Sequence, residues 1–200
     1  KLVEWIDRRV ASGDRKQESE GYTVLAKPEH YKRILDAARD EKNPLPLRKQ
    51  SLLLAARERS KVKELLPVLK KHAGDPKSPL RGEALVALAG LASDRLDEGG
   101  FVTVTFAVAA KDADPRLRLS ATHGLVKLKS KAAVQALVER LSDSDVTVRK
   151  LAAGRLKKLA GQDFGYRYSK LPKTQEAAIA RWRSWSAKWQ PAPKPPAKGP

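Results

Sequence analysis

Three stretches, DPKSPLRGEALVAL from Asp75, DADPRLRLSATHGL from Asp112 and DSDVTVRKLAAGRL from Asp143, repeat one pattern in one phase. A fourth, NPLPLRKQSLLLA from Asn43, fits it with Asn in the Asp position. Each begins with Asp or Asn, usually near a proline, passes through an aliphatic residue to an arginine, and has a small residue three places on. The arginines are Arg48, Arg81, Arg118 and Arg149, spaced by 33, 37 and 31 residues, and the small residues are Ser51, Ala84, Ala121 and Ala152. A period of this length signals stacked helical hairpins, each burying its apolar face on the next.

The local chemistry supports the pattern. Asp or Asn caps the exposed amides of a helix start, and proline in the first turn forfeits no hydrogen bond. A small residue lets neighbouring helices approach, and aliphatics at helical spacing, such as Leu117, Ala121, Leu125 and Leu128, form a buried stripe. A second helix is expected in each unit, at Val62 to His72, about Phe101 to Ala110, and Ala132 to Leu141. FVTVTFAV, from Phe101 to Val108, conflicts with this, because its β-branched alternation reads as a strand. The repeat phase requires a helix there and no partner strand is visible, so helix is the expectation.

The pattern resembles the HEAT and HEAT-like repeat family over roughly Asn43 to Ala160, with the D-P-x-x-R start as its most specific part. The resemblance implies an all-α fold, an α-solenoid of about four stacked hairpins with a capping helix at each end. It also implies a structural ladder in which Asp75, Asp112 and Asp143 and the four arginines link successive repeats. Asn43 departs from the family's Asp. The segment GQDFGYRY…AAIARWRSWSAKW is similar to the closing segment of bacterial HEAT-repeat proteins, several of them exported and of unknown role. Helical-repeat DNA glycosylases and phycobilin lyases share such architecture, but no Trp or Tyr lies between Asn43 and Ala160 to furnish a glycosylase wall, and nothing matches a bilin site.

Residues 1–42 are expected to form an N-terminal cap, with an amphipathic helix of Leu2, Trp5, Ile6 and Val10, a polar loop, and a helix from about Glu29 to Arg39. The repeats occupy 43–160. An aromatic loop and a capping helix, Thr174 to Trp189, fill 161–190, and PAPKPPAKGP at 191–200 is expected to be a disordered basic tail. The chain begins at Lys1 without methionine, so removal of the natural start, together with any signal peptide, is expected. With the resemblance, this favours an exported or periplasmic location over a cytoplasmic one.

Composition narrows the functional classes. The 200 residues suit one elongated domain with appendages, at 41% apolar content and a mean hydropathy of −0.52. No run reaches the roughly 20 apolar residues that cross a bilayer. With no cysteine, disulfides, thiolate metal sites and cysteine nucleophiles are all excluded. The net charge is +18, of which +11 sits in the last 52 residues, where thirteen Lys/Arg face only Asp163 and Glu176. Such a balance favours anionic partners: an acidic protein surface, nucleic acid or anionic lipid.

Candidate partner-binding residues follow from that charge. Trp182, Trp185 and Trp189 fall on one helical stripe beside Arg181, Arg183 and Lys188, which suits docking or base stacking, or else a capping helix that buries its indoles. Tyr166 and Tyr168, in a glycine-bearing loop with Phe164, read either as a recognition platform or as packing under the cap. The second helices are expected to form a groove with Lys70 and Lys71 among its cations, alongside Lys61, Lys63 and Lys131. The pairs Asp112/Asp114 and Asp143/Asp145 resemble a cation site, but both fall at helix starts, where capping accounts for them. His30, His72 and His123 lie in separate units, and no H-E-x-x-H, G-x-S-x-G or phosphate-loop motif occurs. His72, near a helix C-terminus, is placed where a cation is favoured. The expected function is a non-catalytic scaffold for protein partners, without cofactor or metal. The alternative is sequence-independent nucleic-acid binding through the basic C-terminal region.

Overall fold

The structure is a computed structural model and describes residues 30–192. The expected helix at Leu2 to Val10, its following loop, Glu29 and the tail from 193 lie outside the described residues. Among those described, every regular element is helical. The chain divides after Leu91 into two compact units, here the N unit and the C unit. The division falls inside the second expected repeat, between its two helices.

The N unit contains α1 (Tyr31–Arg39), α2 (Leu45–Ala55), α3 (Val62–Gly74) and α4 (Arg81–Leu91). Helix α1 packs on α2, α2 on α4, and α3 on α4. Tyr31, Ile34, Leu35 and Ala38 recur at helical spacing and are buried, and the Tyr31 hydroxyl donates to the Lys61 carbonyl at 3.2 Å. The α3–α4 turn is held by Ser78, whose hydroxyl accepts the Leu80 amide at 3.2 Å and meets His72 Nδ1 at 2.8 Å. His72 is buried, and burial first, then the cations Lys71 and Arg48, pulls its pKa below the ordinary histidine value. Desolvation therefore overrides the favour that a helix C-terminus shows a cation. Asp75 is exposed at the end of α3, its carboxylate accepting the Lys77 amide at 2.9 Å.

The C unit contains α5 (Phe101–Ala109), α6 (Pro115–Leu125), α7 (Lys131–Glu139), α8 (Val146–Ala160) and α9 (Glu176–Lys188), with 3-10 turns at Arg140–Ser142 and Pro172–Thr174. Helices α6 and α8 pack as neighbours, as do α5 with α7 and α7 with α9. The two sets meet through α5–α6, α6–α7 and α7–α8. The unit is thus two layers, first helices over second helices. Between them Phe106, Leu125, Leu128, Leu137, Leu141, Leu156 and Trp182 are fully buried. Each such side chain contributes about 1.5–3 kcal/mol of burial free energy.

FVTVTFAV is helix, as the repeat phase requires. Asp97 secures its start, its carboxylate accepting the Thr103 amide at 2.9 Å and the Thr103 hydroxyl. Gly99 and Gly100 supply the left-handed backbone, at φ 80° and 74°, that brings the chain round. Val104 and Val108 then lie on the solvent side, 62% and 60% exposed. Val102, Thr103, Thr105 and Phe106 are buried, so the alternation in sequence does not become an alternation of faces. The ring of Phe106 presses on Gly124 of α6, where an added Cβ would stand 2.2 Å from it.

Candidate functional site

The repeat arginines have a defined geometry in the C unit. Arg118 Nη1 donates to the carbonyls of Asp112 and Ala113, both at 3.0 Å. Arg149 Nη1 donates to those of Asp143 and Ser144, both at 2.9 Å. Each guanidinium thus fastens the loop in front of its own helix, six residues back. Arg118 Nε then reaches Asp143 at 3.0 Å and Nη2 reaches its other oxygen at 3.0 Å, a bidentate pair that links the third repeat to the fourth. This bond to Asp143 holds the Arg118 pKa above the ordinary arginine value. Arg140 also meets Asp143, at 3.4 Å. Arg149 has no following repeat to grip, and its Nε donates to the Tyr168 carbonyl at 2.9 Å.

The Asp-x-Asp pairs are built alike. Asp112 accepts the Asp114 amide and Asp143 the Asp145 amide, each at 2.9 Å. Asp114 then caps α6 through the Arg116 amide at 2.8 Å, and Asp145 caps α8 through the Thr147 and Val148 amides at 2.7 and 3.2 Å. Hydrogen bonds from Arg116, side chain first, lower the Asp114 pKa, and those of the α8 amides lower that of Asp145. No group of three or more potential metal ligands occurs among the described residues.

The expected partner-binding residues are dispersed. In the N unit, Lys71 is exposed and pairs with Glu41 at 3.6 Å, while Lys70 is half-buried on the same helix. In the C unit, Trp182 is buried, and Phe164, Trp185 and Trp189 join it in an aromatic cluster with adjacent centroids 4.7–6.5 Å apart. Arg181 donates to the Phe164 carbonyl through Nε at 3.1 Å and Nη2 at 2.9 Å. Arg183 forms a bidentate pair with Glu139 at 3.1 and 3.2 Å, joining α9 to α7. Lys188 is exposed. Tyr166 is 4% exposed and its hydroxyl donates to the Leu141 carbonyl at 2.6 Å. It offers no surface to a partner, and in this the platform expectation is corrected. Tyr168 is exposed, with the Lys150 ammonium 5.8 Å above its ring.

The two faces of the C unit differ in charge. The second-helix face, of α5, α7 and α9, has a cavity of about 340 Å³ lined in part by Lys111, Glu139 and Arg183. The Arg183–Glu139 pair offsets one cation there, and Lys111 and Arg140 remain. Across the first-helix face, of α6 and α8, lies a cavity of about 590 Å³ that includes His123, Lys150, Arg155 and Lys158 and no carboxylate. A second, of about 510 Å³, lies between α8 and the 163–169 loop. The expected groove cations on the second helices missed this face. The signal available was the run of α8, where Lys150, Arg155, Lys157 and Lys158 have no acidic residue among them.

Comparison with known proteins agrees with the helical repeat fold. The HEAT-repeat family matches residues 102–166, which span α5 to the closing loop. No curated protein matches the chain in sequence. Among solved structures, a designed armadillo repeat protein in complex with the peptide (KR)4 is similar at a TM-score of 0.50 and 14% identity, covering 92% of this chain and 99% of that one. A computationally designed armadillo repeat protein for modular peptide recognition gives 0.53 and 16%, covering 91% and 90%. An engineered protein gives 0.54 and 17%, covering 92% and 96%. At such identities the likeness is one of fold. Residues 102–166 thus carry a HEAT-repeat signature, within a chain whose fold is that of helical repeat proteins.

Proposed function

We propose that this protein is a non-catalytic scaffold that binds a protein partner through an acidic surface of that partner. Helical repeat folds commonly mediate protein interaction, because stacked hairpins offer a long face of independently variable side chains. The observation that carries the reading is the charge of the C unit's first-helix face, where Lys150, Arg155 and Lys158 line a cavity without a carboxylate. A designed neighbour is in complex with the basic peptide (KR)4. A chain of net charge +18 suits a partner of the opposite sign. Within the C unit Lys188 and Arg181 add positive charge, and Arg183 adds less because Glu139 pairs with it; Lys70 and Lys71 belong to the N unit, where Lys71 pairs with Glu41.

Affinity purification from the native source, with mass spectrometry and a nuclease-treated control, tests the reading. The expected result is one defined protein partner in stoichiometric amount that withstands nuclease and moderate salt. Recovery of nucleic acid alone, or of nothing, overturns it.

Nucleic-acid binding independent of sequence is the second reading, favoured by the net +11 over residues 149–200. If Z phosphates are neutralised, log affinity for duplex DNA falls with log salt at a slope of about −0.9Z. Binding indifferent to salt excludes it.

A further inference from the structure

From the first-helix face of the C unit we infer a docking groove for an extended peptide segment in which carboxylates alternate with aliphatic side chains. The inference rests on the scaffold reading and adds to it the face used and the chemistry of the segment. The groove between α6 and α8 has a mixed lining. Leu119, Val126 and Leu151 are half-buried along its floor, and Lys150, Arg155 and Lys158 stand along its edge. Arg155, half-buried on α8, brings a third cation to the same lining.

Gly154 makes the groove passable. Its position on α8 is exposed, and nothing stands within 4 Å of where its Cβ would be. The α6–α8 cavity and the one between α8 and the 163–169 loop share Gly154 and Lys150. The glycine is a saddle over which a chain can pass from one to the other. Lys150 and Lys158 lie on either side of it, about 12 Å apart along the axis at 1.5 Å per residue.

A nucleic acid fits this lining less well. Its phosphates would find the cations, but its bases need bare aromatic faces, and Tyr168 beside the groove lies under the Lys150 ammonium. An aliphatic floor rewards aliphatic side chains. The α6–α8 cavity itself holds no carboxylate, whereas Glu139 lines the cavity of the second-helix face and Asp163 that beside the 163–169 loop.

The test is fluorescence anisotropy with the full chain and a labelled peptide of Asp and Glu interspersed with Leu. Its Leu-to-Ser analogue and a labelled oligothymidylate serve as comparisons. The first peptide is expected to bind more tightly than either. Lys150→Ala combined with Lys158→Ala weakens it by roughly 5-fold, as the loss of two exposed ion pairs implies. Gly154→Leu, which fills the saddle without changing charge, weakens it by at least that factor, and thermal melts verify that both variants fold. Peptide binding that ignores these changes but falls with Lys111→Ala and Arg183→Ala overturns the groove and leaves the scaffold reading standing. Oligothymidylate binding more tightly, with the same sensitivity, overturns the peptide in favour of nucleic acid. A peptide that does not bind, while affinity purification still yields a protein partner, overturns this inference alone.

Discussion

Arg48 and Arg118 hold the same phase in the sequence and do different things. Arg118 fastens two carbonyls of its own loop and grips the Asp143 carboxylate ahead of it. The Nε of Arg48 reaches back to the Ala38 carbonyl of α1, at 3.4 Å. Both sit at the start of a first helix, and both precede by three residues a small side chain that is buried, Ser51 in one case and Ala121 in the other. The phase therefore marks a position in a hairpin. Which acceptor the guanidinium meets is set by its surroundings, α1 for the first repeat and Asp143 for the third.

If that difference is energetic, removing Asp143 should cost most. Its side chain is 2% exposed, and those of Arg118 and Arg140 are 12% and 13% exposed. Asp143→Ala leaves two nearly buried cations without their carboxylate, at a cost of about 3 kcal/mol. Denaturant unfolding of the C unit measures it. A change below about 1 kcal/mol would place this rung with ordinary surface pairs.

How much of this was legible beforehand varies by element. The helices of the repeats were legible because their signals are local: an apolar stripe, a proline in the first turn of α2 and α6, and an Asp cap at α6 and α8, given by Asp114 and Asp145. Asn43 instead donates to the Ala37 carbonyl and leaves α2 uncapped. FVTVTFAV was legible only through the phase, since its own residues favour a strand and its cap, Asp97, lies outside the repeat pattern. The acceptors were harder. Nothing in the spacing tells that Arg183 will meet Glu139, 44 residues away, or that the Tyr166 hydroxyl will meet the Leu141 carbonyl. These are long-range pairings, and one of them sets a carboxylate on the face where a basic groove was expected. The cations of α8 were in view as a run, but their face had to come from the packing of α6 on α8.

The glycines offer a second contrast of like residues. Gly124 stands six places after Arg118, where the first two repeats have the buried Leu54 and Ala87. Alanine in an open helix gains about 1 kcal/mol over glycine. At Gly124 the added Cβ would meet the Phe106 ring at 2.2 Å, and overpacking of about 1–3 kcal/mol outweighs the gain. Gly124→Ala is expected to lower stability by up to about 2 kcal/mol. Gly154→Ala, at an open position, is expected to raise it by up to about 1 kcal/mol. Equal signs in equilibrium unfolding would remove the distinction.

Arg48→Met should cost no more than about 1 kcal/mol, the value of one hydrogen bond replaced by an apolar stem of similar length. A loss as large as that of Asp143→Ala would mean that the two arginines are energetically alike after all.

The smallest effect concerns how the fourth repeat closes, with Arg149 on the Tyr168 carbonyl and Tyr166 on the Leu141 carbonyl in place of a further Asp. Burial raises the Tyr166 pKa from 10.0 to about 12. The folded state therefore prefers the protonated phenol. Its contribution is whole below pH 10 and drains away as pH rises from 10 towards 12. Tyr166→Phe forgoes the hydrogen bond, at about 1 kcal/mol near neutral pH, but has no proton to lose. The gap between wild type and variant should thus narrow above pH 10 and then reverse, as chemical denaturation along a pH series would detect. Parallel profiles across that window would mean that the phenol is hydrated and that the closing loop does not rest on Leu141.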